Sequence, residues 1–254
     1  MDKLSVFGLL LALAAIAFGF TLEGGILSSL INLPALIIVL GGTLGAVLIQ
    51  TSAETFKKLL EVSHWVFFSP KYDIGHAIDE VKKWSHKARQ EGYLALEPDA
   101  LSHADPYAAK GLSLLVDGSD EQIIRDTLEI DLILERERLL ETSRVYEAMG
   151  GYSPTIGIIG AVLGLIQAMS FITAPEKLGS AVATAFIATI YGVGFANILF
   201  LPIAKKLQNI IESKMLYHEI FAEGVIAISR GESPLNIELK LEAYRTERPH
   251  LMAQ

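Results

Sequence analysis

The chain alternates between two kinds of segment. Four windows, 4–21, 33–53, 151–172 and 179–204, contain no Asp, Glu, Lys or Arg, and every charged side chain lies between or beyond them. Each window is close to or above the roughly 20 apolar residues that cross a bilayer as a helix. A buried strand would be shorter, and a barrel strand would alternate apolar and polar positions. Backbone groups in lipid must bond within their own segment, so continuous apolar runs predict helices. The fold class expected is all-α: a polytopic membrane protein with four transmembrane helices and a helical cytoplasmic domain.

The polar stretches divide the chain further. Residues 1–53 read as a first transmembrane hairpin and 151–204 as a second. Between them, 54–150 reads as a helical domain, and 205–254 as a helical extension and tail. Thr55–Ser69 ends in Trp65-Val66-Phe67-Phe68 and suits either a helix at the headgroup boundary or an ordinary core helix. From Asp73 an apolar stripe of Ile74, Ile78, Val81, Trp84 and Ala88 predicts a helix stopped by Gly92. Asp105-Pro106 supplies a cap and a first-turn proline for a helix to about Val116. Ser119 with Gln122 predicts a capping box before a charged helix reaching about Met149. Past Pro202 the fourth membrane helix is expected to continue until Gly231. Ser233-Pro234 then starts a last helix with Leu235, Leu239 and Tyr244 on its inner face.

Charge at the window edges predicts orientation. Thr21–Asn32 carries only Glu23, and the second short connection carries Glu176 and Lys177. Lys57 and Lys58 follow window two, Arg144 precedes window three, and Lys205 and Lys206 follow window four. The positive-inside rule then places both termini and 54–150 in the cytoplasm, with two short loops outside. The first window is read as a retained helix, because it runs past the passable cleavage site Ala15-Ile16-Ala17 and its leading segment offers only Lys3.

Composition removes several classes of function. With no cysteine, disulfide frameworks and thiolate metal sites are excluded. The net charge is −8, and 54–150 holds 12 basic against 19 acidic residues, which argues against nucleic acid as a partner. The six histidines show no metal-ligand spacing, and Walker-A and Gly-x-Ser-x-Gly patterns are missing. Gly151-Tyr-Ser-Pro-Thr155 lacks the closing glycine of a nucleophile elbow. No catalytic residue, resident metal or cofactor is expected, and the chain does not read as an enzyme.

The membrane windows carry the remaining information. Gly157, Gly160 and Gly164 share one face of window three and would permit close approach by another helix. Window four holds Thr184, Thr189, Tyr191 and Asn197, polar groups that in lipid face a partner or a wet path. Pro154 opens window three, where a first-turn proline is comfortable. Pro202 interrupts an apolar helix and is a plausible place for a bend. None of the windows holds an ionisable side chain, yet a proton or cation carrier needs a carboxylate, a histidine or a ring of oxygens at membrane depth. If this chain moves protons, the titrating group comes from another subunit.

Over essentially its whole length the sequence resembles the MotA/PomA family, the A subunits of the bacterial flagellar motor stator. The matching segments are Arg89-Gln-Glu-Gly-Tyr-Leu-Ala-Leu-Glu97, Leu115-Val-Asp-Gly118, Tyr152-Ser-Pro-Thr-Ile-Gly-Ile-Ile-Gly-Ala-Val-Leu-Gly-Leu165 and Ala188-Thr-Ile-Tyr-Gly192 followed by Pro202. The resemblance implies a ring of A subunits, a homopentamer, around two copies of a single-span, peptidoglycan-anchored B subunit (MotB-like) that supplies a membrane aspartate. It also implies a rotor protein (FliG-like) as partner and a place in the inner membrane. By the same resemblance, Arg89 and Glu97 correspond to a charged pair that meets the rotor. Pro154 and Pro202 correspond to prolines near the ion path, and Thr189 to a threonine facing the partner's aspartate. Ala161 stands where sodium-driven members tend to place a second threonine, which points to protons as the transported cation. The ExbB/TolQ proton-driven motor subunits are the nearest alternative, though they usually carry one helix, and not two, before the cytoplasmic domain. A sodium-driven stator and a self-contained channel or scaffold are the others.

Overall fold

The computed structural model of the chain describes residues 3–251, and among them every regular element is helical. Four helical stretches, Lys3–Leu22, Leu27–Gln50, Glu121–Ser170 and Glu176–Ser229, are long and apolar enough to span a membrane. The chain is therefore an all-helical, multi-pass membrane protein. It divides into two compact units, Met1–Ser69 with Leu140–Gln208 and Pro70–Leu139 with Asn209–Gln254. The division leaves 54–69 and 140–150 grouped with the two hairpins.

In the first unit, α1 (Lys3–Leu22) buries none of its residues, as suits a helix apolar on all sides and surrounded by lipid or other chains. A 3₁₀ turn at Leu27–Leu30 leads to Asn32, whose side chain accepts the Ala35 N–H and caps α2 (Leu33–Leu36). A π turn at Ile37–Gly41 follows, then α3 (Gly42–Gln50). The buried positions Ala35, Val39, Thr43 and Val47 recur every four residues and form one stripe. Ala35 and Val39 pack with Ile187 and Ala188, while Val47 packs with Leu59, Val145, Met149 and Phe200. Leu59 belongs to α4 (Ala53–Ser63), capped by the Ser52 hydroxyl. That packing explains why 54–69 groups with the hairpins.

Two proline readings change. The helix α8 runs unbroken from Glu121 to Ser170 with Pro154 in its interior, so Pro154 does not open a separate helix. Proline removes one backbone bond from a helix interior, and here packing on both sides of it holds the helix together. A Cβ on Gly150 would stand 2.5 Å from Leu201 Cδ2, and the backbone at Ser153 and Pro154 lies against Gly192. The second change concerns Pro202. Helix α9 (Pro175–Gly194) passes through a π turn at Phe195–Phe200 into α10 (Leu201–Ser229), which places Pro202 second in α10. The widened turn shifts the bonding ladder just before the residue that lacks a donor.

In the second unit, α5 (Ile74–Glu91) is capped by Asp73 and buries Ile74, Ile78, Val81, Trp84 and Ala88, the stripe expected from the sequence. It ends at Gly92, whose φ of 83° is a conformation glycine tolerates best. A 3₁₀ turn, Tyr93–Leu96, leads to α6 (Glu97–Ser102), then α7 (Pro106–Val116) capped by Asp105. These helices, the start of α8, the end of α10 and α11 (Pro234–Leu251) enclose one apolar core.

Two local expectations fail here. Helix α8 begins at Glu121, past the expected capping box, and the Gln122 amide donates to Asp126 Oδ1 at 2.7 Å. In α11, Leu235 and Leu239 are exposed while Ile237 and Leu241 are buried, with Tyr244 packed beside them. The inner face lies two residues on from the expected one, with Ile237 and Leu241 in the apolar core and Glu238 beside them held by the Lys82 ammonium on α5 at 2.6 Å.

Candidate functional site

The second hairpin is built on close backbone approach. A Cβ on Gly157 would stand 2.9 Å from the Ala188 carbonyl oxygen and 3.1 Å from Gly192 Cα. One on Gly160 would meet Ala188 Cβ at 2.8 Å, and one on Gly164 the Ala185 backbone at 2.9 Å. From the other helix, a Cβ on Gly192 would come within 2.6 Å of the Ser153 carbonyl oxygen and 3.2 Å of Pro154 Cα. The three glycines of α8 therefore lie against one line of α9, Ala185, Ala188 and Gly192. The first hairpin joins them where Ile38 lies 3.3 Å from the Gly160 position and Ile156 fills the space beside Gly42.

Two polar groups of α9, Thr184 and Tyr191, tie it to the turn before α2. The Asn32 side-chain amide donates to Thr184 Oγ1 at 2.8 Å, and Thr184 donates to the Ser180 carbonyl at 3.0 Å. Tyr191 accepts from the Asn32 backbone N–H and donates to the Leu30 carbonyl. Asn197, just inside the π turn, donates to the Val193 carbonyl. Thr189 differs. It is half-buried, and its hydroxyl makes no hydrogen bond to another of the described residues. Ala161 is half-buried on α8. Two further hydroxyls, Thr43 and Ser153, are fully buried without a protein partner, and composition gave no signal for either.

Arg89 and Glu97 belong to the second compact unit. Arg89 is in the last turn of α5 and Glu97 opens α6, with Gly92 and the 3₁₀ turn between them. Both are exposed, and neither pairs with another of the described residues, whereas nearby Lys82, Lys87 and Lys240 all do. Arg89 borders a notch with Tyr93, Gly231 and Glu232. The Tyr93 hydroxyl closes one side by donating to the Ile228 carbonyl.

Among the described residues no group of His, Asp or Glu is placed to hold a metal ion. Acidic and histidine side chains also gather around His218 in the second unit, a grouping that no sequence spacing reveals.

Fold and hairpin together define a multi-pass membrane subunit, closely packed, with no Asp, Glu, His, Lys or Arg in its apolar windows. Residues 99–220 match the MotA/TolQ/ExbB proton channel family, and residues 6–92 match the motility protein A N-terminal family. Motility protein A of Bacillus subtilis is 34% identical over 252 residues, covering 99% of this chain and 93% of that protein. Chemotaxis protein PomA of Vibrio alginolyticus is 30% identical, covering 97% and 96%. Among solved structures, the flagellar MotAB stator complex from Bacillus subtilis aligns with a TM-score of 0.86 at 34% identity, over 95% of this chain and 96% of that one. C. jejuni MotAB aligns with a TM-score of 0.91 at 27% identity, over 96% of both. The chain belongs to the motility protein A family.

Proposed function

We propose that the chain is the A subunit of a flagellar stator that turns ion flow, carried as protons, into rotation. The observation that carries this reading is the second hairpin: tightly packed, with no Asp, Glu, His, Lys or Arg in either of its apolar windows, and leaving Thr189 with an uncommitted hydroxyl. Such a hairpin can line a path but cannot itself titrate, so a partner must supply the carboxylate. The B subunit of a MotAB complex, the companion of the solved relatives, fits that requirement. The assembly is a homopentamer around two B subunits in the inner membrane, with both termini cytoplasmic, following the basic flanks at Lys57, Arg144 and Lys205.

Torque leaves through Arg89 and Glu97, exposed charges without partners among the described residues and so available to a FliG-like rotor protein. Pro154 and Pro202 flank the path at points where α8 and α9–α10 touch, and they couple its protonation to movement. A match to the motility protein A N-terminal family over both first-hairpin helices favours this reading over an ExbB/TolQ-type subunit.

The test is reconstitution. The chain is expressed with a single-span, aspartate-bearing partner in a motile bacterium lacking its own stators. Restored swimming, with ion conductance only when both chains are present, is expected. Conductance from this chain alone would make it a self-contained channel. Rescue of outer-membrane energisation without swimming would make it an ExbB/TolQ-type subunit.

A further inference from the structure

Both ring nitrogens of His218 face a carboxylate. Nε2 lies 3.2 Å from Asp105 Oδ2 and Nδ1 lies 3.2 Å from Glu135 Oε2, in a side chain that is 3% exposed. The first contact is a hydrogen bond, while the second is a charge contact without hydrogen-bond alignment. A neutral imidazole carries one N–H, so one nitrogen would turn a lone pair on a carboxylate. Only the imidazolium offers a proton to each. The ring also stacks on Tyr107, 4.5 Å away and inclined by 3°.

Asp105 links this group to the backbone. Its Oδ1 accepts the N–H groups of Tyr107 and Ala108, capping α7, while its Oδ2 takes the His218 contact. On the far side Lys214 donates to Glu135 at 2.5 Å. Aromatic rings pack against the imidazole. Tyr72 and Tyr217 pack together beside it, and Asp131 is paired with Lys110. His103 meets the Asp105 backbone through Nδ1, and its Nε2 turns to Glu80, which also faces His76.

We propose that His218 is a pH-operated tie: its imidazolium binds the first turn of α7 to α8 and α10, and loss of the proton lets that turn go. Deprotonation takes the group formed by Asp105, His218, Glu135 and Lys214 from neutral to one net negative charge. Burial favours the neutral ring, but the hydrogen bond to Asp105 and the charges of Asp105 and Glu135 outweigh it, so His218 titrates above its ordinary 6.5. Contacts with the same histidine hold both carboxyls down to about 2. Because the folded value is raised, the tie is complete below the ordinary imidazole value and fails as pH rises through the raised one. None of this depends on the motor reading, which decides only whether the pH reported is that of the cytoplasm.

Hydrogen–deuterium exchange of the α7 peptide tests it, on the full-length chain in detergent, from pH 6 to 10, with rates corrected for intrinsic exchange. In the wild type, protection of the first α7 turn should fall in one alkaline step. His218→Gln should be weakly protected throughout, without a step, and Glu135→Gln should move the step to lower pH. No step in the wild type, or an equal step in His218→Gln, overturns the proposal. If His218→Gln does not fold, an unmoved step in Glu135→Gln overturns it as well.

Discussion

Tyr191 and Asn32 are bound to each other across the membrane hairpins. The Asn32 backbone N–H donates to the tyrosine hydroxyl at 3.1 Å, and that hydroxyl donates onward to the Leu30 carbonyl at 2.5 Å. Asn32 meanwhile caps α2 and holds Thr184, one residue doing three jobs at the start of a spanning helix. Tyr191→Phe leaves a backbone donor and acceptor unpaired. The expected loss is about 1–3 kcal/mol, read as a lower melting temperature in detergent. An unchanged melting temperature would mean the pair does not hold the hairpins.

Close packing at Gly192 makes a sharper case. An added Cβ there meets backbone atoms of Ser153 and Gly157, which cannot swing aside, whereas one on Gly194 meets nothing within 4 Å. Gly192→Ala should therefore destabilise the chain by about 1–3 kcal/mol, with Gly194→Ala near neutral. Thermal unfolding of the two variants side by side checks the ordering. Equal effects would show that the two helices part easily.

Charge at the α5–α6 corner should act on torque and leave folding alone. Arg89 and Glu97 are exposed and unpaired among the described residues, so Arg89→Glu should leave melting temperature and membrane level unchanged while impairing rotation. Surface substitutions of this kind move stability by about 0.5 kcal/mol or less. Tethered-cell rotation assays are the measurement. Normal rotation of Arg89→Glu, and of the double variant with Glu97→Lys, would remove the rotor-contact assignment.

On the function proposed above, the coupling ion would turn on Thr189 and Ala161. Thr189→Val keeps the shape but loses the hydroxyl, and it should lower ion flux with little effect on assembly. Ala161→Thr should not by itself confer sodium use, because a sodium site needs several oxygens to replace the hydration shell. Swimming speed is measured with and without sodium at constant proton gradient. Wild-type swimming that stops on sodium removal would reverse the proton assignment.

The spanning helices were legible because lipid imposes a length and forbids charge, and both constraints are local. The α5 stripe and the Asp105 cap were legible for the same reason: a period of 3.6 and a capping residue act within a few positions. What escaped depends on contacts between distant residues. Pro154 reads as a helix start until Gly150 and Gly192 are seen to brace the helix through it. Leu235 and Leu239 read as an inner face until Ile237 and Leu241 are seen to enter the core in their place. His218 lies more than 80 positions from Asp105 and Glu135, so no spacing rule could bring them together. At the hairpin, the glycine face was visible in the sequence, while the commitment of Thr184 and Tyr191 to Asn32 was not.

The π turn at Phe195–Phe200 sets an angular phase. One residue of an α-helix corresponds to about 100° of rotation, so a single inserted residue re-aims everything downstream relative to everything upstream. Thr189 on one side and Leu207 on the other point where they do because the extra residue sits between them. Sliding that widened turn along by one position would swing a side chain through about the same angle, with both ends of the helix left in place. The helix can thus change what it presents without changing where it stands.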